Sequence, residues 1–169
     1  MSMDDVQART GASRSQLYHY FEDRDDLVRA VIDVAANAVL DNQGELLDHL
    51  DSWAGIDRWL DRMVQHQIDQ QARGGCPIGS LAGQLAESDP DARAAIAAGL
   101  ERWETHIRDG LTRMKTRGKL KQSADPAALA TATMASIQGG LLLTQVRRDP
   151  HQLRTALNAA RTNLRHAAD

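Results

Sequence analysis

Gly11-Ala12-Ser13-Arg14-Ser15-Gln16-Leu17-Tyr18-His19-Tyr20-Phe21 decides how the rest of this chain is read. Ahead of it, Met3, Val6 and Ala8 mark the inward side of a short helix. Ser2 predicts its N-cap, with Asp5 completing a box-like start. Asp4 and Asp5 also suit the positive end of the helix dipole. Gly11 tolerates a positive φ and predicts the end of that helix. Ser13 predicts the next N-cap, with Gln16 at the reciprocal position. Leu17 and Phe21, four apart, form a buried edge, which leaves Tyr18 and His19 to face outward. Two short helices around a tight glycine-containing turn are the pattern of a helix-turn-helix. The second helix carries Arg14 at its N-terminal end, a surface of the kind that enters a DNA major groove.

The chain has 169 residues, enough for one ordinary domain or a small one joined to a larger. Hydrophobic residues make up 42%, but only two are Tyr and one is Phe, so strands are poorly supplied. Ala, Leu, Arg, Gln and Glu favour helices through their low side-chain entropy cost. The net charge of −3 excludes a chain-wide basic nucleic-acid binder. Over residues 1–33 the balance is the same: Arg9, Arg14, Arg24 and Arg29 against Asp4, Asp5, Glu22, Asp23, Asp25, Asp26 and Asp33, four minus seven. The single cysteine, Cys76, excludes an internal disulfide and fits a reducing compartment. No apolar run approaches the ~20 residues needed to cross a bilayer, and Met-Ser-Met-Asp-Asp has no apolar signal core. These features predict a soluble, cytoplasmic protein with no membrane partner.

Beyond the opening unit, 24–51 carries an apolar stripe at Leu27, Val31, Val34 and Ala38, then Leu46, Leu47 and Leu50, with Gly44 bending or dividing it. Gly55 separates the next helix, which turns Ile56, Trp59, Leu60, Met63, Val64 and Ile68 to one side and ends at Arg73-Gly74-Gly75. Cys76-Pro77 starts a short segment. Ser88-Asp89-Pro90 starts a long helix reaching about Arg117, with its stripe at Ile96, Leu100, Trp103, Ile107, Leu111 and Met114. Asp125-Pro126 and Asp149-Pro150 each set an Asp cap before a Pro in the first turn, and so start the last two helices, the last with its stripe at Leu153, Leu157, Ala160 and Leu164. The pattern is about eight helices and no strand. It predicts an all-α chain: a partial helix-turn-helix unit in 1–23, then a helical bundle in 24–169.

Three pieces of the first 32 residues, Gly11-Ala12-Ser13, Leu17-Tyr18-His19-Tyr20-Phe21 and Arg24-Asp25-Asp26-Leu27, closely resemble the DNA-binding segment of the TetR family of bacterial repressors. Gly75-Cys76-Pro77-Ile78-Gly79-Ser80-Leu81 and Ala135-Ser136-Ile137-Gln138-Gly139-Gly140-Leu141 are similar to the ligand-binding domain of the LmrA- and YxaF-like subgroup. The resemblance implies an all-α homodimer whose second helices enter successive major grooves of palindromic operator DNA. It implies that a small apolar effector in the C-terminal domain changes the spacing of the two heads and releases the DNA. It also implies one more helix ahead of Met3, which this sequence does not supply, so Val6, Leu17 and Phe21 are expected to be only partly covered. A dimeric small-molecule-binding module without DNA binding is the alternative expectation.

On that resemblance Ser13, Arg14, Ser15 and Gln16 face the groove, and Tyr18, His19 and Arg24 meet phosphate. Ser13 and Gln16 also fit a plain capping pair, and both roles can coexist. Trp59, Met63, Trp103, Ile107, Met134 and Gln138 are the candidates for the effector pocket, since Trp and Met supply adaptable apolar surface and Gln138 could orient a polar group. An ordinary bundle core accounts for the same residues. The small residues and Leu141-Leu142-Leu143 of the last two helices, 126–148 and 150–167, predict a four-helix dimer interface. No paired-ligand spacing predicts a metal or cofactor, and no acid–base pair or nucleophile arrangement predicts an enzyme.

Overall fold

The computed structural model describes residues 3–168. Eight α-helices follow in order among them: α1 (Met3–Thr10), α2 (Arg14–Tyr20), α3 (Arg24–Asp41), α4 (Trp53–Asp69), α5 (Pro77–Leu85), α6 (Pro90–Thr116), α7 (Pro126–Arg147) and α8 (His151–His166). A 3-10 turn, Gly44–His49, links α3 to α4, so Gly44 divides the 24–51 pattern. The expected cap at Ser2 lies outside the described residues. An isolated bridge between Leu120 and Ala168 is the only β pairing among the described residues.

Most helix starts follow from short polar side chains that accept orphan backbone N–H groups. Asp23 accepts from Asp26 N, Asp89 from Ala92 N, and Asp125 from Ala127 N and Ala128 N. Asp149 accepts from His151 N at 2.9 Å and from Gln152 Nε2 at 2.9 Å. The Gln152 bond, then the His151 bond, holds its carboxyl below the usual carboxylate range.

The body packs around α6, which touches α3, α5, α7 and the 3-10 turn. Two glycines on α6 let its neighbours close in. A Cβ on Gly99 would lie 3.1 Å from the Cβ of Ala36 on α3, and one on Gly110 would lie 2.6 Å from the carbonyl oxygen of Leu50. The core runs through Ile32, Trp59, Leu60, Ile96, Trp103, Leu111, Ile137, Leu153 and Leu157. The predicted stripes of α6 and α8 are the buried ones, with Leu100 half-buried.

Four expectations are corrected. On α3 the buried face is Ile32 and Ala36 with Val28 and Val39 beside them, whereas Val31 is 48% and Val34 67% exposed. The sequence offers two apolar stripes one residue apart, and the small Ala36 is what fits against Gly99. Gly55 sits inside α4 rather than before it: Ser52 caps the helix, and a Cβ at 55 would collide with the carbonyl of His49. On α4 Gln67 takes the buried place expected for Ile68, which is exposed. Finally, α7 is long and apolar enough to cross a membrane by length and composition, although no such run was expected. In this fold Ile137, Gly140 and Leu141 on α7 are buried, with α6 and α8 as its main neighbours.

Gly110→Ala tests the α6 contact directly. Its methyl would meet the carbonyl and Cβ of Leu50, neither of them the end of a flexible side chain, so we expect a loss of about 2 kcal/mol. Thermal unfolding should then shift down by about 6 °C. An unchanged midpoint would mean that the turn does not sit this close to α6.

Candidate DNA-reading head and effector cavity

The head is built locally. Gly11 adopts φ +72° and Gly11 N bonds to Gln7 O, which ends α1. Ser13 and Gln16 form a reciprocal capping box: Gln16 N donates to Ser13 Oγ at 3.2 Å, and Ser13 N donates to Gln16 Oε1 at 2.8 Å. The cap therefore uses both side chains. The Gln16 carbonyl keeps a second lone pair and its amide N–H₂ keeps its donors. Met3 and Leu17 are buried, each 9% exposed, and both lie outside the main core. Val6 and Phe21 are half-buried, so only Leu17 is covered more fully than expected. Ala8, expected inward, is exposed. The main packing of α1 and α2 is against each other.

Ser13, Arg14, Ser15, Gln16, Tyr18 and His19 all lie exposed on α2 or its cap. The Arg14 guanidinium stands 5.5 Å from the Tyr18 ring centroid, and His19 meets Tyr20 edge-on. Arg24, at the start of α3, is engaged within the protein. Its Nη1 lies 2.8 Å from Asp25 Oδ1 and 3.8 Å from Asp89 Oδ2. Asp89 is also the cap of α6.

A cavity of about 270 Å³ opens between α3, α4 and α6. Trp59, Met63 and Trp103 line it, with Leu46, Val39 and Leu141 adding apolar surface. Trp59 is anchored: its Nε1 donates to Gln43 Oε1 at 2.6 Å, and Gln43 Nε2 donates to the Val39 carbonyl at 2.8 Å. Of the six predicted residues, Ile107, Met134 and Gln138 are not part of this lining. Ile107 packs beyond Trp59, around a void shared with Leu50, Ile56 and Leu111. Met134 is a buried core residue. Gln138 abuts Gly79 on α5, its Oε1 2.8 Å from where a Cβ would stand.

The sequence reading missed Gln67, Gln43 and Arg73, which also line the cavity. Gln67 was the detectable one. It follows Trp59 and Met63 at four-residue steps, so a polar residue falls on the inward stripe. Cys76 caps α5 through Gly79 N and also lines the cavity. Among the described residues no group of three His, Cys, Asp or Glu could hold a metal.

Residues 52–160 match the family described as tetracyclin repressor-like, C-terminal domain, and residues 1–31 match the bacterial regulatory proteins, tetR family. This chain belongs to the TetR family of transcriptional regulators. It is similar to an uncharacterised HTH-type transcriptional regulator encoded in the lacX 3′ region of Lactococcus lactis subsp. lactis. That relative is 29% identical over 167 residues, which cover 96% of this chain and 82% of that protein. Two solved structures share the TetR fold. A TetR transcriptional regulator from Chloroflexus aurantiacus has a TM-score of 0.81 at 24% identity, covering 99% of this chain and 85% of its own. The regulatory protein TetR from Rhodobacter sphaeroides has a TM-score of 0.80 at 20% identity, covering 96% and 87%. TetR family members are transcription regulators rather than enzymes.

Removing the cap tests how the head is held. Ser13→Ala should cost about 1 kcal/mol, borne locally by the second head helix. Hydrogen exchange should speed up across 13–20 while the melting of the body stays put. Uniform exchange changes over the whole chain would show instead that the head unfolds only with the body.

Proposed function

We propose that this TetR family regulator is a repressor that binds operator DNA as a dimer and is released by a small, largely apolar effector. Residues 1–23 act as the DNA-reading unit, and residues 24–169 as the effector and dimerisation unit. The observation that carries the reading is α3. Its N-terminal end follows directly on α2, while Ala38 and Val39 near its C-terminal end line the cavity. One helix therefore belongs to both sites.

On this reading Ser13, Arg14, Ser15 and Gln16 meet base edges, and Tyr18, His19 and Arg24 meet phosphate. Arg14 supplies the strongest single contact, because a guanidinium pairs bidentately with guanine. The effector sits on Trp59, Met63 and Trp103. Ile107, Met134 and Gln138 shape the surrounding core. The dimer forms through α7 and α8. Leu142, Leu143 and Val146 support this, since α7 exposes them on the side away from its buried Ile137 and Leu141. On this reading the protein works in the cytoplasm.

A second reading is a dimeric effector-binding module that does not bind DNA. Two observations favour it: the net charge of −3 over residues 1–33, and a head whose main packing is internal. Phosphate attraction scales with the cations that reach the backbone, and here they are few.

Gel shifts with DNA flanking the chain's own gene separate the two. The repressor reading expects a shift, and Arg14→Ala should weaken it by about tenfold or more. A protein that binds effector but shifts none of this DNA would establish the second reading. Val146→Asp should convert the dimer to a monomer in sedimentation runs. A dimer that tolerates this charge assembles through some other face.

A further inference from the structure

We propose that the effector is an apolar monoanion that also carries a hydroxyl, with its carboxylate on Arg73 and its hydroxyl between Gln67 and Trp103. This rests on the effector-cavity reading above and narrows it to a chemical class.

Two buried polar atoms point to the hydroxyl. Gln67 is 3% exposed and Trp103 2%, and both line the cavity. Gln67 Oε1 and Trp103 Nε1 are buried without a hydrogen-bond partner. Leaving such groups unpaired is costly. Oε1 accepts and Nε1–H donates. A hydroxyl is the smallest group that can serve both at once, donating to Gln67 and accepting from Trp103. Trp59 contrasts with this pair, since its Nε1–H is already bound to Gln43. The demand for a polar group therefore falls on Gln67 and Trp103 and not on Trp59.

The carboxylate follows from the charge of the lining. Arg62, His66 and Arg73 line the cavity, and no Asp or Glu does. Arg62 already faces Asp69, 3.6 Å away. The Arg73 guanidinium has no hydrogen bond or ion pair among the described residues. A cationic ligand meets only like charge here, whereas a carboxylate meets a free guanidinium able to bind it through two parallel hydrogen bonds.

The backbone around Arg73 is built in an unusual way. Three non-glycine residues have positive φ among the described residues: Gln71, Ala72 and Arg148. Two directly precede Arg73, and the third is tied to them, since Arg148 Nη1 donates to the Ala72 carbonyl at 3.1 Å. Gly74 and Gly75, which follow, also have positive φ. Left-handed residues of this kind are strained, persist only when their surroundings hold them, and cluster at ligand clamps. Ala72 is fully buried, so the loop is pinned where it presents Arg73 to the cavity mouth.

Three probes with one rigid body test the class by calorimetry: 6-hydroxy-2-naphthoate, 2-naphthoate and 6-hydroxy-2-naphthamide. The hydroxy acid should bind about tenfold tighter than the neutral amide. It should bind about fivefold tighter than the acid lacking the hydroxyl. Arg73→Gln should remove the first difference and Gln67→Leu the second, each leaving the other intact. Trp103→Phe gives an independent check of the hydroxyl site should the leucine variant fail to fold. Equal affinity for acid and amide, or no gain from the hydroxyl, overturns the proposal while the cavity remains an effector site. Binding of none of the three at millimolar concentration overturns the cavity reading as well.

Discussion

Two missing side chains on α6 set the geometry of this protein. Gly99 and Gly110 are eleven residues apart, close to three full helical turns, so they open the same face of the helix. Ala36 of α3 closes on the first and the carbonyl of Leu50 on the second. Contacts this near allow dispersion to act over many atom pairs at once, and they tolerate little added volume. They also fix where α3 and the 3-10 turn stand relative to α6. The cavity lies between these same elements, with Val39 and Leu46 on one wall and Trp103 on another. Its shape is therefore a by-product of how closely α6 is approached.

The head depends on its surroundings in a different way. Helices of seven and eight residues are unstable alone, because each turn gained barely offsets the cost of nucleation. Here the capping box, the Gly11 turn and the burial of Met3 and Leu17 do most of the local work. The long α3 then continues without interruption into the body, where Ile32 and Ala36 are buried. Stability in this chain rises along α3, from the half-exposed ion pairs near Arg24 to the core.

Helix starts were legible in the sequence because capping is local chemistry. Ser13, Asp89 and Asp125 act on backbone groups two or three residues away, and no tertiary information is needed to see it. The buried stripes of α6 and α8 were legible because each helix carries one dominant apolar face. The buried face of α3 was not, because Leu27-Val31-Val34 and Val28-Ile32-Ala36 are almost equally apolar. Only a partner helix with a glycine at the crossing selects between them. Gly55 reads as a breaker in isolation, but the nearby His49 carbonyl explains why a side chain is forbidden inside α4. The cavity was half legible. Trp59, Met63 and Trp103 stand out as large apolar residues, whereas Arg73 belongs to a loop tied down by the bond from Arg148 to Ala72, seventy-six residues apart. Ile107 and Met134 have the same composition signal as the lining residues, but Ile107 lies one turn farther along the α6 stripe, beyond Trp59, and Met134 is buried in the core.

The unbroken length of α3 has a mechanical consequence. Its eighteen residues make a rod of about 27 Å at the usual rise per residue. No proline or glycine interrupts it, so it has no built-in hinge. A tilt of about 10° about Ala36 would carry Arg24, about 18 Å away along the helix, through about 3 Å. The fulcrum is the Ala36–Gly99 crossing, which sits nearer the cavity than the head. The arm is therefore longer on the side of the head, and a small displacement of Val39 or Ala38 is multiplied, rather than damped, by the time it reaches Arg24.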